Sequence, residues 1–150
     1  MKSLYPFLLV LFFARPVAAQ RPASPQNPCE EKPITQRQMD DCAAFEYKQA
    51  DAHLKRVYRK VMKYMTDDLV GAQKEDNQEQ IKYEETVIAG LKEAERRWLS
   101  YRDIQCKAAA QKYEGGSIAP MIYSQCLTSL TKHRTADLKS IYEDDDQKLD

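Results

Sequence analysis

The sequence is poor in the residues that large nucleotide-dependent enzymes need. Four glycines in 150 residues leave no GxGxxG string and no phosphate loop, and the length is too small for a Rossmann domain joined to a substrate domain. An excess of either charge is also missing. Lys+Arg and Asp+Glu both number 23, for a formal net charge of zero, so a strongly basic nucleic-acid binder has no support. Histidine is scarce: only His53 and His133 occur, each among charged residues. Neither has a Ser or free Cys at a spacing that suggests a nucleophile–base pair, and no HExxH string appears. The carboxylates are plentiful but scattered. The chain therefore reads as a non-enzyme with no cofactor and no resident metal. Strand-like alternation of useful length and internal repeats are absent too. A hydrophobic share of 43% is enough for a compact core and excludes wholesale disorder.

The chain begins with Lys2, an apolar run of ten residues from Leu4 to Phe13, a break at Pro16, and Val17-Ala18-Ala19 before Gln20. This is the pattern of a secretory signal peptide over residues 1–19. The run is too short for a membrane-spanning helix, which needs about twenty residues. No Cys follows it directly, so the expectation is an unanchored periplasmic or secreted protein. Residues 20–34 hold four prolines and read as an extended leader. Losing Lys2 and Arg15 changes the balance to 21 bases against 23 acids, or −2. Residues 143–150 hold five acids and one Lys and read as a solvated, disordered tail.

Cys29, Cys42, Cys106 and Cys126 all lie beyond the expected cleavage site, and an even count in an oxidising compartment implies disulfides. Three connectivities are open. Helical periodicity is used to choose among them. Thr35 is a good N-cap with Gln38 three residues on, as in a capping box. Met39, Ala43, Tyr47, Ala50, Leu54, Val57 and Val61 then form one apolar stripe over about residues 36–65. A second stripe runs through Val87, Leu91, Ala94, Trp98, Tyr101 and Ala108 towards a stop at Gly115-Gly116. Its start is indistinct, because residues 75–85 are helix-prone but polar. A third stripe uses Ile122 or Tyr123, Cys126 or Leu127, Leu130, Arg134, Leu138 and Ile141, beginning beside Pro120. The expected fold is all-α, an antiparallel up-down-up three-helix bundle over residues 35–142.

In that arrangement Cys42, Cys106 and Cys126 fall at one height, and the leader can bring Cys29 to them. Local pairing, Cys29–Cys42 and Cys106–Cys126, is favoured. A four-Cys zinc site is the rival, although spacings of 13, 64 and 20 residues match no zinc-finger pattern. The same register puts Asp51, Trp98 and Arg134 in one layer, with Arg102 about a turn away. An ion pair between Asp51 and Arg134 beside Trp98 would resolve the cost of placing Arg134 on an apolar stripe. Asp103 should face solvent or cap a loop. This cluster reads as structural glue.

Two charged surfaces remain. Lys55, Arg56, Arg59, Lys60 and Lys63 crowd the end of the first helix, where cations suit the dipole. Residues 67–85 hold seven acids against two lysines and read as an acidic loop. Asp67, Asp68, Glu75, Asp76 and Glu79 are the candidate partner-binding residues, offered to a basic partner.

The residues Thr35 to Cys42, Ala50-Asp51, Leu54 and Tyr58 begin a resemblance that continues through Leu91 to Trp98. Tyr101-Arg102-Asp103, Cys106, Gly115-Gly116-Ser117, Cys126-Leu127, Thr131, Arg134 and Leu138 complete it. On these, the chain resembles the lysozyme-inhibitor LprI-like N-terminal domain family of small exported bacterial proteins. The string from Trp98 to Cys106 is its most specific piece. The resemblance implies binding and inhibition of lysozyme, a cationic muramidase, and the acids of the 67–85 segment or the tail are the surface expected to meet it. The alternative is a non-inhibitory envelope module that binds peptidoglycan or another periplasmic protein.

Overall fold

The computed structural model describes residues 27–30, 32–33, 35–143 and 148–149. The expected signal peptide and most of the leader lie outside these residues. Three helices make up the fold: α1 (Gln36–Lys74), α2 (Gln78–Gln111) and α3 (Ala119–Tyr142). They pack as the expected up-down-up bundle, with the largest interface between α1 and α3, and no strand occurs among the described residues. None of the described helices is long and apolar enough to cross a membrane.

The expected capping box is formed. The Gln38 N–H donates to Thr35 Oγ1 at 3.2 Å, and the Thr35 N–H donates back to Gln38 Oε1 at 3.0 Å, satisfying two donors at the helix start. At its other end α1 runs well past residue 65. Met65 and Ala72 are buried and Leu69 packs against the core, so the inward face persists while the outward face turns acidic. Three residues then reverse the chain. Asp76 takes the left-handed conformation at φ 52°, and its N–H donates to the Gln73 carbonyl. The next N–H, from Asn77, reaches the Ala72 carbonyl at 3.0 Å. These bonds close α1 in the Schellman manner. Asn77 is also the N-cap of α2, its side-chain oxygen accepting from the Gln80 N–H at 3.1 Å. The 67–85 segment is therefore no loop but two helix ends joined by Glu75, Asp76 and Asn77.

The second connection spans residues 112–118, with Gly115 at φ 79°, a value that L side chains rarely adopt. A Cβ on Gly116 would sit 3.2 Å from the Tyr113 carbonyl. Pro120 stands in the first turn of α3, as expected.

The large apolar residues are concentrated in the half of the bundle next to the α1–α2 turn. Leu54, Val57, Val61 and Met65 meet Ile88, Leu91 and Leu138 there, each burial contributing about 1.5–3 kcal/mol. Leu149 joins this cluster at 1% exposure, and its N–H donates to Glu143 Oε1 at 3.1 Å. For Glu143 and Leu149 this differs from the solvated tail expected; residues 144–147 and 150 are not among those described. In the other half most buried residues are smaller or polar, Ala43, Ala50, Cys106, Thr128 and Thr131, with Leu127 beside them.

Two of the expected stripes are rotated. On α2, Ala94, Tyr101 and Ala108 are exposed, and the inward residues are Glu84, Ile88, Leu91, Arg102 and Cys106. On α3, Ile141 is exposed, and Leu127, Thr128, Thr131, Thr135 and Leu138 face inward. The threonines pass unnoticed in an apolar pattern because their hydroxyls are polar. Here Thr128 Oγ1 donates to the Ser124 carbonyl and Thr135 Oγ1 to the Thr131 carbonyl, both at 2.9 Å. With the hydroxyls satisfied within their own helix, the side chains pack as small hydrophobes.

Cys29–Cys42 and Cys106–Cys126 are both disulfide-bonded, with Cα separations of 5.0 and 5.4 Å. This is the local pairing, and it removes the four-Cys zinc alternative because the sulfurs bond one another. Leu138 is fully buried, so Leu138→Ala should cost about 2–5 kcal/mol, read as a lower urea midpoint at constant slope.

Candidate functional site

Two groups of polar residues stand out, one inside the bundle and one at its end. The first is centred on Arg102, 5% exposed. Its Nη1 lies 3.5 Å from both Asp51 Oδ1 and Thr131 Oγ1, while its Nε donates to Asp103 Oδ1 at 2.9 Å. The guanidinium also stacks between rings, 5.5 Å from the Tyr47 centroid and 5.2 Å from that of Trp98. Arg134 also approaches the same indole, at 5.9 Å, and its Nε donates to Glu95 Oε2 at 3.1 Å.

Asp51, Trp98, Arg102 and Arg134 thus share a layer, but the pairing differs from that expected. Asp51 meets Arg102 and, at 2.6 Å, Lys55; Arg134 meets Glu95. Asp103 also turns inward enough to bind Arg102 rather than facing solvent alone. The cause is side-chain reach: Arg102, expected about a turn away, extends to Asp51 while it also lies against Tyr47, and Glu95 on α2 takes up Arg134.

The polar atoms of this layer are satisfied within the bundle. Every described buried side-chain nitrogen and oxygen has a hydrogen-bond partner. Burial pushes the Tyr47 phenol above its ordinary value, with the Arg102 charge opposing, and burial likewise raises Tyr58, next to Glu95. A groove of about 500 Å³ runs outside the layer between α1 and α2, bordered by Leu54, Tyr58 and Leu99 and by Lys55, Arg56 and Arg59.

The second group lies where α1 ends and α2 begins. Asp67, Asp68, Glu75, Asp76 and Glu79 are all exposed. Asp67 is paired with Lys63, and the other four make no ion pair among the described residues. The α3 C-terminus reaches the same end, so Tyr64, Tyr83 and Tyr142 gather with Asp68 and Glu84 around a cleft of about 260 Å³. The tyrosines and Glu84 were not anticipated as site residues. The signal for Glu84 was its phase, four residues before Ile88 and seven before Leu91, but the indistinct start of the second helix hid it.

The contacts of Arg102 generate a stability prediction. Asp51→Asn with Asp103→Asn leaves a buried guanidinium without either carboxylate and should cost about 3–5 kcal/mol. Arg102→Met, which removes the buried charge itself, should cost less. Urea unfolding of both variants checks the order.

The arrangement can be set beside known proteins. A family model described as Lysozyme inhibitor LprI matches residues 29–138, which include both disulfides, the Arg102 layer and the acidic end. An uncharacterized protein of Rhizobium meliloti (strain 1021) is 38% identical over 135 residues, covering 90% of this chain and 91% of that protein. No solved structure matches the chain. Because that family model matches residues 29–138, most of its length, the chain belongs to the lysozyme inhibitor LprI family.

Proposed function

We propose that the protein is an exported inhibitor that binds a lysozyme-type muramidase through the acidic end of its bundle. Family membership supports the inhibitor activity, and the two disulfides are consistent with work outside the cytoplasm. The observation that carries the choice of surface is the grouping of Asp67, Asp68, Glu75, Asp76 and Glu79, all exposed and mostly unpaired, at one extremity. Unpaired surface acids steer a cationic partner and speed its encounter. The tail, which begins at Glu143 beside this end, extends the same charge. Tyr83, 61% exposed, adds the kind of aromatic anchor that interfaces favour.

Lysis of bacterial cell walls by lysozyme should slow in the presence of micromolar mature protein, and the protection should fade as salt rises through the range that screens exposed charges. Reversing Asp67, Asp68, Glu75 and Glu79 to Lys should weaken inhibition by about tenfold or more. The tail is better tested by Asp144→Asn, Asp145→Asn and Asp146→Asn than by truncation, because Leu149 belongs to the core. Unimpeded lysis at micromolar protein would reject the inhibitor reading. Inhibition untouched by the four reversals would reject the acidic surface.

A further inference from the structure

We propose that the cleft at the acidic end receives one arginine side chain presented by the partner protein. This rests on the reading of a cationic partner and gives it a point of attachment. Glu84 is the central observation. It is only 8% exposed, yet it makes no ion pair among the described residues. Its one hydrogen bond comes from Gln80 Nε2 to Oε1 at 2.6 Å. Glu84 lines the cleft, and among the described residues its carboxylate accepts no other side-chain hydrogen bond than that from Gln80.

A carboxylate largely removed from water and given no counter-charge is costly. The Arg102 layer shows the contrast, since its buried charge is met by Asp51 and Asp103. At Glu84 the cation is missing, and the surroundings suit one. Tyr64, Tyr83 and Tyr142 border the cleft and offer ring faces to a cation. Asp68 supplies a second carboxylate at the rim. Val61, Met65 and Val87 complete the lining and can cover the methylene stem of a long side chain. Guanidinium fits this set better than ammonium. It is planar, it stacks on aromatic faces, and its forked donors can reach two carboxylates.

The test uses small probes and the intact, disulfide-bonded protein. Acetyl-arginine-amide, acetyl-lysine-amide and the neutral isostere acetyl-citrulline-amide are titrated against the isotope-labelled protein by NMR at low salt. Arginine amide should give saturable shifts at Tyr83, Glu84 and Tyr142, with affinity on the order of millimolar. Lysine amide should bind more weakly and citrulline amide about tenfold more weakly or not at all. Glu84→Gln preserves shape and the Gln80 contact and should abolish saturation. Tyr83→Ala, at a mostly exposed position, should weaken it without touching the core. Absence of saturable shifts at the cleft overturns the proposal, as does equal binding of citrulline, tighter binding of lysine, or full binding by folded Glu84→Gln. If arginine binds the cleft but lysozyme is not inhibited, the inhibitor reading falls and the cleft stands. If Glu84→Gln inhibits lysozyme as well as the parent does, the cleft falls and the inhibitor reading stands.

Discussion

Two sulfur–sulfur links hold the half of this bundle that apolar packing alone serves least. Around them the interior is built mostly of Ala43, Ala50, Thr128 and Thr131, small or polar side chains that remove little hydrocarbon from water. Cys106–Cys126 closes a 20-residue separation across the α2–α3 connection, and Cys29–Cys42 closes 13 between the leader and α1. Loops of this size lose about 3 kcal/mol of unfolded-state freedom each when cross-linked. The Arg102 layer lies next to them and depends on their rigidity. A buried guanidinium is tolerable only when Asp51, Asp103, Thr131 and two rings are held around it.

The opposite half has the inverse character. There Leu54, Val57, Val61, Met65, Ile88, Leu91 and Leu138 supply the apolar mass, and no covalent link is present among the described residues. Because hydrocarbon holds this half together, its surface is free to carry charge that does nothing for folding. Asp68, Glu75, Asp76 and Glu79 face water without ion pairs among the described residues, and Glu84 is drawn into a cleft with no cation beside it. The disulfides and the proposed recognition surface thus lie in opposite halves of the bundle. An inhibitor of a cell-wall enzyme gains from that separation, since the acids can meet a partner without loosening the cross-linked end.

Much of the fold was legible because it depends on local chemistry. Thr35 with Gln38, Pro120, and the four cysteines each declare a cap, a helix start and a pairing within a few residues or one turn. Apolar periodicity found the inward face of α1 as far as Val61. It failed where burial was achieved by partnership instead of hydrophobicity. Thr128 and Thr135 hide their hydroxyls on their own backbone, and the Thr131 hydroxyl meets Arg102. Arg102 is neutralised by residues from two helices, and no pattern along α2 reveals that. The Arg134 pairing was misread because a shared layer does not say which cation meets which acid: Arg102 reaches Asp51, and Glu95 takes Arg134. The continuation of α1 to Lys74 was masked by the acids on its outer face, which turned two helix ends into an apparent loop and obscured Glu84.

The division of labour between the two halves can be measured directly by hydrogen exchange on the oxidised protein and on the same protein after reduction by a thiol. Selective loss of amide protection within residues 36–50 and 102–127, with residues 54–65 and 84–91 keeping most of theirs, is the result this account requires. Uniform loss along all three helices, or earlier loss at residues 54–65 and 84–91, would contradict it.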